Sequence, residues 1–166
     1  QITRTVSVVD SAAPIITLNG IDSLQHEAGT AFVDPGAVSN DAQDGSKDLT
    51  GTGSVDVNVL GTYDLTYNDT DSSGNAAVPV TRQVNVVDTI APIISFAEGV
   101  DVDLTVEAGV AYVDVPPGVN DSFDTSVTVE TSGQVDVNRL GSYILTYNAS
   151  DASGNSADEV SRTVTV

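Results

Sequence analysis

The sequence predicts an all-β fold of two tandem Greek-key sandwiches in an elongated arrangement, and three observations carry that prediction. Val, Thr and Ile are abundant, Gly and Pro recur at intervals, and no apolar run has the period of a long amphipathic helix. Short segments of alternating apolar and polar residues are bounded by turn residues. One long block of sequence also occurs twice, at a spacing that suits a complete small sandwich rather than a leucine-rich or ankyrin unit.

The repeat sets the domain organisation. Asp10-Ser11-Ala12-Ala13-Pro14-Ile15-Ile16 returns as Asp88-Thr89-Ile90-Ala91-Pro92-Ile93-Ile94, and Glu27-Ala28-Gly29 returns as Glu107-Ala108-Gly109. Leu60-Gly61-Thr62-Tyr63 and Leu65-Thr66-Tyr67-Asn68 are matched by Leu140-Gly141-Ser142-Tyr143 and Leu145-Thr146-Tyr147-Asn148. Asp71-Ser72-Ser73-Gly74-Asn75 is matched by Asp151-Ala152-Ser153-Gly154-Asn155. The offset grows by two residues before Glu107, so the second copy carries a short insertion. Residues 11–88 are read as the first repeat and 89–166 as the second. Thr3-Arg4-Thr5-Val6-Ser7-Val8-Val9-Asp10 echoes Thr81-Arg82-Gln83-Val84-Asn85-Val86-Val87-Asp88. Residues 1–10 are therefore read as the last strand of a preceding repeat plus a linker.

The elements follow in order. Ile15 to Leu18 forms the first strand after Pro14, and Ser23 to Glu27 forms the second, ending at Gly29. Short extended pieces are expected at Ala31-Phe32 and Ala37-Val38, separated by the Asp34-Pro35-Gly36 turn, then at Leu49 to Thr52 and Ser54 to Val57. Thr62 to Asn68 places Tyr63, Leu65 and Tyr67 on one face, and Val78 to Val87 alternates Val80, Arg82, Val84 and Val86. Arg82 and its counterpart Arg162 break the apolar rhythm, either by snorkelling across the sheet edge or by pairing with an acidic neighbour. Tyr63 and Tyr143 suit either a tyrosine-corner lock or ordinary core packing.

Composition excludes several functions. Twenty-four acidic residues against five basic ones give a net charge of -19, which repels phosphate backbones and anionic membranes. Nucleic-acid binding and direct membrane insertion are not expected. No Cys is present, so disulfides, thiolate chemistry and Cys-based zinc sites are ruled out. Aromatic residues make up 5% of the chain and Trp is absent, so no aromatic platform marks a sugar site. His26 is the sole histidine and its counterpart is Val106, which argues against a catalytic base. Lys47 is the sole lysine and is read into a polar loop, so stapling by Lys isopeptide bonds is not general to the repeats.

The acidic residues point to a metal. In a Greek-key sandwich the second-to-third and penultimate-to-last loops lie at one pole, beneath the linker. Asp10, Glu27, Asp41, Asp69, Asp71 and Asn75 are expected to converge there in the first copy. Asp88, Glu107, Asp121, Asp151 and Asn155 form the equivalent set in the second. Carboxylates so gathered repel one another unless a cation lies between them. Ca²⁺ fits, because it takes six to eight hard oxygens in flexible geometry, whereas zinc and copper prefer nitrogen and sulfur. The bland alternative is that each Asp or Asn caps its own turn. Asp69 is replaced by Ala149 in the second copy, so Asp71, Asp151, Asn75 and Asn155 are the stronger candidates. An EF-hand is excluded, since Val80 stands where its final Glu would be.

Val-Val-Asp-x-x-Ala-Pro-x-Ile, Glu-Ala-Gly with Val-Asp nearby, Leu-Gly-x-Tyr-x-Leu-Thr-Tyr and Asp-x-x-Gly-Asn together give the chain a family likeness. It resembles bacterial immunoglobulin-like tandem repeat modules of the HYR-like type. The resemblance implies immunoglobulin-like sandwiches in a secreted or cell-surface bacterial protein. The expected function is a non-catalytic, calcium-stabilised stalk or extender whose partners are neighbouring repeats of the same chain. The alternative is an adhesion module that binds a surface protein or a glycan through its pole loops.

Overall fold

Alternation along each segment builds short strands that bury one face. The computed structural model describes residues 2–166, and these divide into two compact units, residues 2–87 and 88–166. In the first unit, β1 (Ile15–Leu18), β3 (Ala37–Asp41) and β4 (Gly45–Leu49) form an antiparallel sheet in the order β1-β3-β4. The other sheet has the order β2-β6-β5, from β2 (Ser23–Glu27), β5 (Gly61–Tyr67) and β6 (Val80–Val87). β5 runs antiparallel to β6, whereas β2 runs parallel to it, with Glu27 opposite Val87.

The second unit repeats this plan with shorter pieces. β7 (Ile93–Ser95) pairs with β9 (Gly118–Asn120) over three positions. β8 (Asp103–Thr105), β10 (Glu130–Ser132), β11 (Ser142–Asn148) and β12 (Val160–Thr165) form the larger sheet, β10-β11-β12-β8, with β8 parallel to β12. No helix occurs among the described residues. The all-β, immunoglobulin-like sandwich is thus the observed architecture.

The inward residues close each core. Ile16, Ala37, Leu65, Tyr67, Ala77 and Val84 are buried together in the first unit, with Leu18, Phe32, Leu49 and Tyr63 packed against them. Leu145, Tyr147 and Val164 form the smaller buried cluster of the second, supported by Phe96, Leu104 and Tyr112. Both alternatives for Tyr63 hold at once: its ring touches the core, and its hydroxyl donates to the Val59 carbonyl at 2.8 Å. Tyr143 bonds the Arg139 carbonyl in the same way at 2.7 Å.

Three local expectations are corrected. Leu49 to Thr52 and Ser54 to Val57 are not strands; the chain instead turns at once after β3 and returns as β4. Asp41 Oδ1 accepts the Gln43 and Asp44 amides, and Gly45 supplies the left-handed φ of 81°, which makes that tight return possible. Lys47 consequently lies in β4 and not in a loop. Residues 2–9 carry no strand, and Ile2, Val6, Val8 and Val9 are exposed, although their counterparts in β6 are largely inward-facing.

Candidate metal centre

The end of β3, the β5–β6 loop and the linker meet at one pole of the first unit. One carboxylate oxygen from each of Asp10, Asp41 and Asp71 lies within 4.8 Å of the others. Asp41 and Asp71 are only 7% and 9% exposed, so water screens them little. Asp10 Oδ2 and Asp41 Oδ2 are buried without a hydrogen-bond partner. Beside the cluster a cavity of about 110 Å³, lined by Asp41, Asp44, Lys47, Asp69 and Asp71, leaves room for waters to complete a coordination shell.

Each loop is built to hold its carboxylate charged. Burial pushes the Asp71 carboxyl up, but the Asn75 side chain and the amides of Asn75, Ser73 and Gly74 outweigh it and hold the pKa below its ordinary 3.8. The Asn75 amide nitrogen donates to Asp71 Oδ2 at 2.7 Å and to the Asp10 carbonyl at 3.4 Å. It therefore bolts the linker to the loop. In the second unit Asn155 makes the same two bonds, to Asp151 Oδ2 at 2.7 Å and to the Asp88 carbonyl at 3.1 Å. Asp151 is lowered against its own burial by Asn155, Gly154 and Ser153. Asn75 and Asn155 turn their Nδ2 donors toward the carboxylates and so position them in this arrangement.

Not every predicted residue joins its set. Glu27 ends β2 opposite Val87, the last residue of β6, whereas the Asp71 loop leads into Val80, the first. Parallel pairing thus carries Glu27 to the opposite end of the β6 strand. β8 is likewise parallel to β12 and precedes Glu107, which separates Glu107 from the Asp151 loop. Asp69 faces Lys47, and that contact is the main cause lowering its pKa. Asp88 and Asp151 are buried at 7% and 8% exposure, and Asp121 keeps an orphaned Oδ2.

One arrangement escaped sequence reasoning, and another was foreseen only as one of two alternatives, an arginine paired with an acidic neighbour. Asp44 accepts the Ser72 amide at 2.6 Å, and Asp124 accepts the Ala152 amide at 3.0 Å. Both pairs are 28 residues apart, so the repeat itself carried the signal that the turn after β3, and its counterpart after β9, brace the β5–β6 and β11–β12 loops. The other is a buried Arg–Asp–Tyr group. Arg82 donates to the Asn19 and Gly36 carbonyls at 2.7 and 3.2 Å and lies 3.5 Å from Asp34, which also accepts the Tyr67 hydroxyl at 2.5 Å. Arg162, Asp114 and Tyr147 repeat it.

The sequence itself matches a recognised family. Residues 16–86 and 99–166 match the family described as bacterial surface protein, Ig-like domain. The chain belongs to that family. Its membership places the chain among secreted or cell-surface proteins, and the family's domains are typically non-catalytic. Hyalin of Strongylocentrotus purpuratus is 32% identical over 99% of this chain and 14% of its own length. Hyalin of Lytechinus variegatus is 33% identical over 93% of this chain and 32% of that protein. An uncharacterized 81.3 kDa protein of Acholeplasma phage L2 is 32% identical over 97% of the chain and 23% of that protein. The chain thus spans less than a third of each of these relatives.

Proposed function

We propose that the chain is a calcium-stabilised, non-catalytic stalk segment of a surface or secreted protein. The supporting observation is Asp41, a carboxylate 7% exposed, whose Oδ2 has no partner although it belongs to a three-carboxylate cluster. Such groups are stable when a hard cation lies among them, and Ca²⁺ suits an all-oxygen set with space for water. Asp10 comes from the linker, so the ion would tie the incoming chain to the β3 and β5–β6 loops of its own module. Restricting that linker would favour an extended array. His26 Nε2 lies 3.0 Å from the Thr30 carbonyl, which can only accept, so that nitrogen carries the proton and serves a turn rather than a reaction.

Calcium is expected to raise the melting temperature, since it binds the folded state selectively. Small-angle scattering should show a narrower range of dimensions in calcium than in chelator. Identical melting and scattering in the two conditions would overturn the reading.

A further inference from the structure

The two copies of the cluster are not equivalent. In the first unit, Asp10 Oδ1 accepts the Ala12 amide at 3.1 Å while Oδ2 remains orphaned, as does Asp41 Oδ2. In the second, Asp88 Oδ2 accepts the Ser153 hydroxyl at 3.0 Å, leaving Asp121 Oδ2 as the orphan of its set. Among the described residues, only Asp10, Asp41 and Asp71 gather oxygens within 4.8 Å. The neighbouring charges do not reverse this difference. The Lys47–Asp69 pair of the first unit adds one charge of each sign, and Val127 and Ala149 stand at the matching positions of the second.

We infer that the two sites load in order, the Asp10–Asp41–Asp71 site first and the Asp88–Asp121–Asp151 site second, with the Ser153 hydroxyl acting as an internal competitor. The inference rests on the calcium reading above. A cation entering the first site meets two unpartnered carboxylate oxygens on groups already close together. One entering the second must displace a serine hydroxyl from Asp88 and draw the carboxylates together. Each step subtracts from the binding free energy.

Calorimetric titration of the full chain with CaCl₂ tests this. Two classes of site are expected, separated by roughly tenfold or more in affinity, the worth of about one charge-assisted hydrogen bond. Asp71→Asn should delete the tighter class and Asp151→Asn the weaker. Because Asp71 also caps its loop, Asp10→Asn serves as a second variant and should act on the tighter class. Ser153→Ala should strengthen the weaker class by roughly threefold to tenfold and leave the tighter one unchanged. Two equal sites, reversed assignment of the variants, or an inert Ser153→Ala would overturn the ordered loading while leaving calcium binding intact. Absence of binding in every protein would instead remove the calcium reading and this inference together.

Discussion

Arg82 has no exposed surface, and its guanidinium ends the loops that hold Asn19 and Gly36. Removing it would take the Arg82 donor from the Asn19 carbonyl, one of two donors from the Gly36 carbonyl, and the counter-charge from the Asp34 carboxylate in a poorly hydrated space. Asp34 itself is pushed up by burial but lowered more by Tyr67, the Gly36 and Gly51 amides and Arg82. Arg82→Ala is therefore expected to destabilise the first unit by about 3–5 kcal/mol, checked by denaturant unfolding. Sequence alone showed that arginine interrupts an apolar strand, and pairing with an acid was one of the two fates it allowed. It did not reveal full burial, because the acceptors are loop carbonyls whose positions no residue pattern encodes. Tyr67 belongs to the same group: burial, and then Asp34, push its hydroxyl up to about 12.

At the scale of elements, the Asp71–Asn75 loop converts a side-chain charge into a rigid support. Asp71 and Asp151 are both held below 3.8, so their stabilising contribution is present above that pH. It fades as acidity brings the pH below about 4 and the native carboxylates take up protons later than the unfolded ones. In calcium-free buffer, the double variant Asp71→Asn, Asp151→Asn should show a shallower fall in melting temperature below about pH 4 than the parent protein. The loop was legible because Asp-x-x-Gly-Asn occurs twice. The exclusion of Glu27 was not, since assigning it to the pole required knowing that β2 pairs parallel with β6. A strand's alternation identifies its buried face but leaves its direction open. The β3–β4 hairpin was missed for a related reason: Gly45-Ser46-Lys47-Asp48 is too polar to announce a strand, and it forms because the turn before it is so strongly specified.

Across the whole molecule, the two units share a plan but differ in packing. The first buries Ile16 and Ala37 against Leu65, Tyr67 and Val84, whereas the second has Pro116 and Pro117 just before β9 and only three paired positions between β7 and β9. Proline cannot donate to a ladder, which shortens the smaller sheet. Calorimetry in chelator should therefore resolve two transitions, the lower from the second unit. Val164→Ala should move only the lower one and Leu65→Ala only the upper, by about 2–5 kcal/mol for the leucine. The repeat made the division into two modules readable, but unequal packing emerges only when facing residues are brought together.

The parallel pairing of β2 with β6 has a mechanical consequence. The chain reaches the first unit through Asp10, near the loop that opens β6, and leaves through Val87 at the strand's other end. Tension along the backbone would pull β6 lengthwise against β2 and β5, loading both ladders in shear. Many hydrogen bonds would then have to yield together rather than one after another, so the sheet would oppose a pull between the two ends of β6.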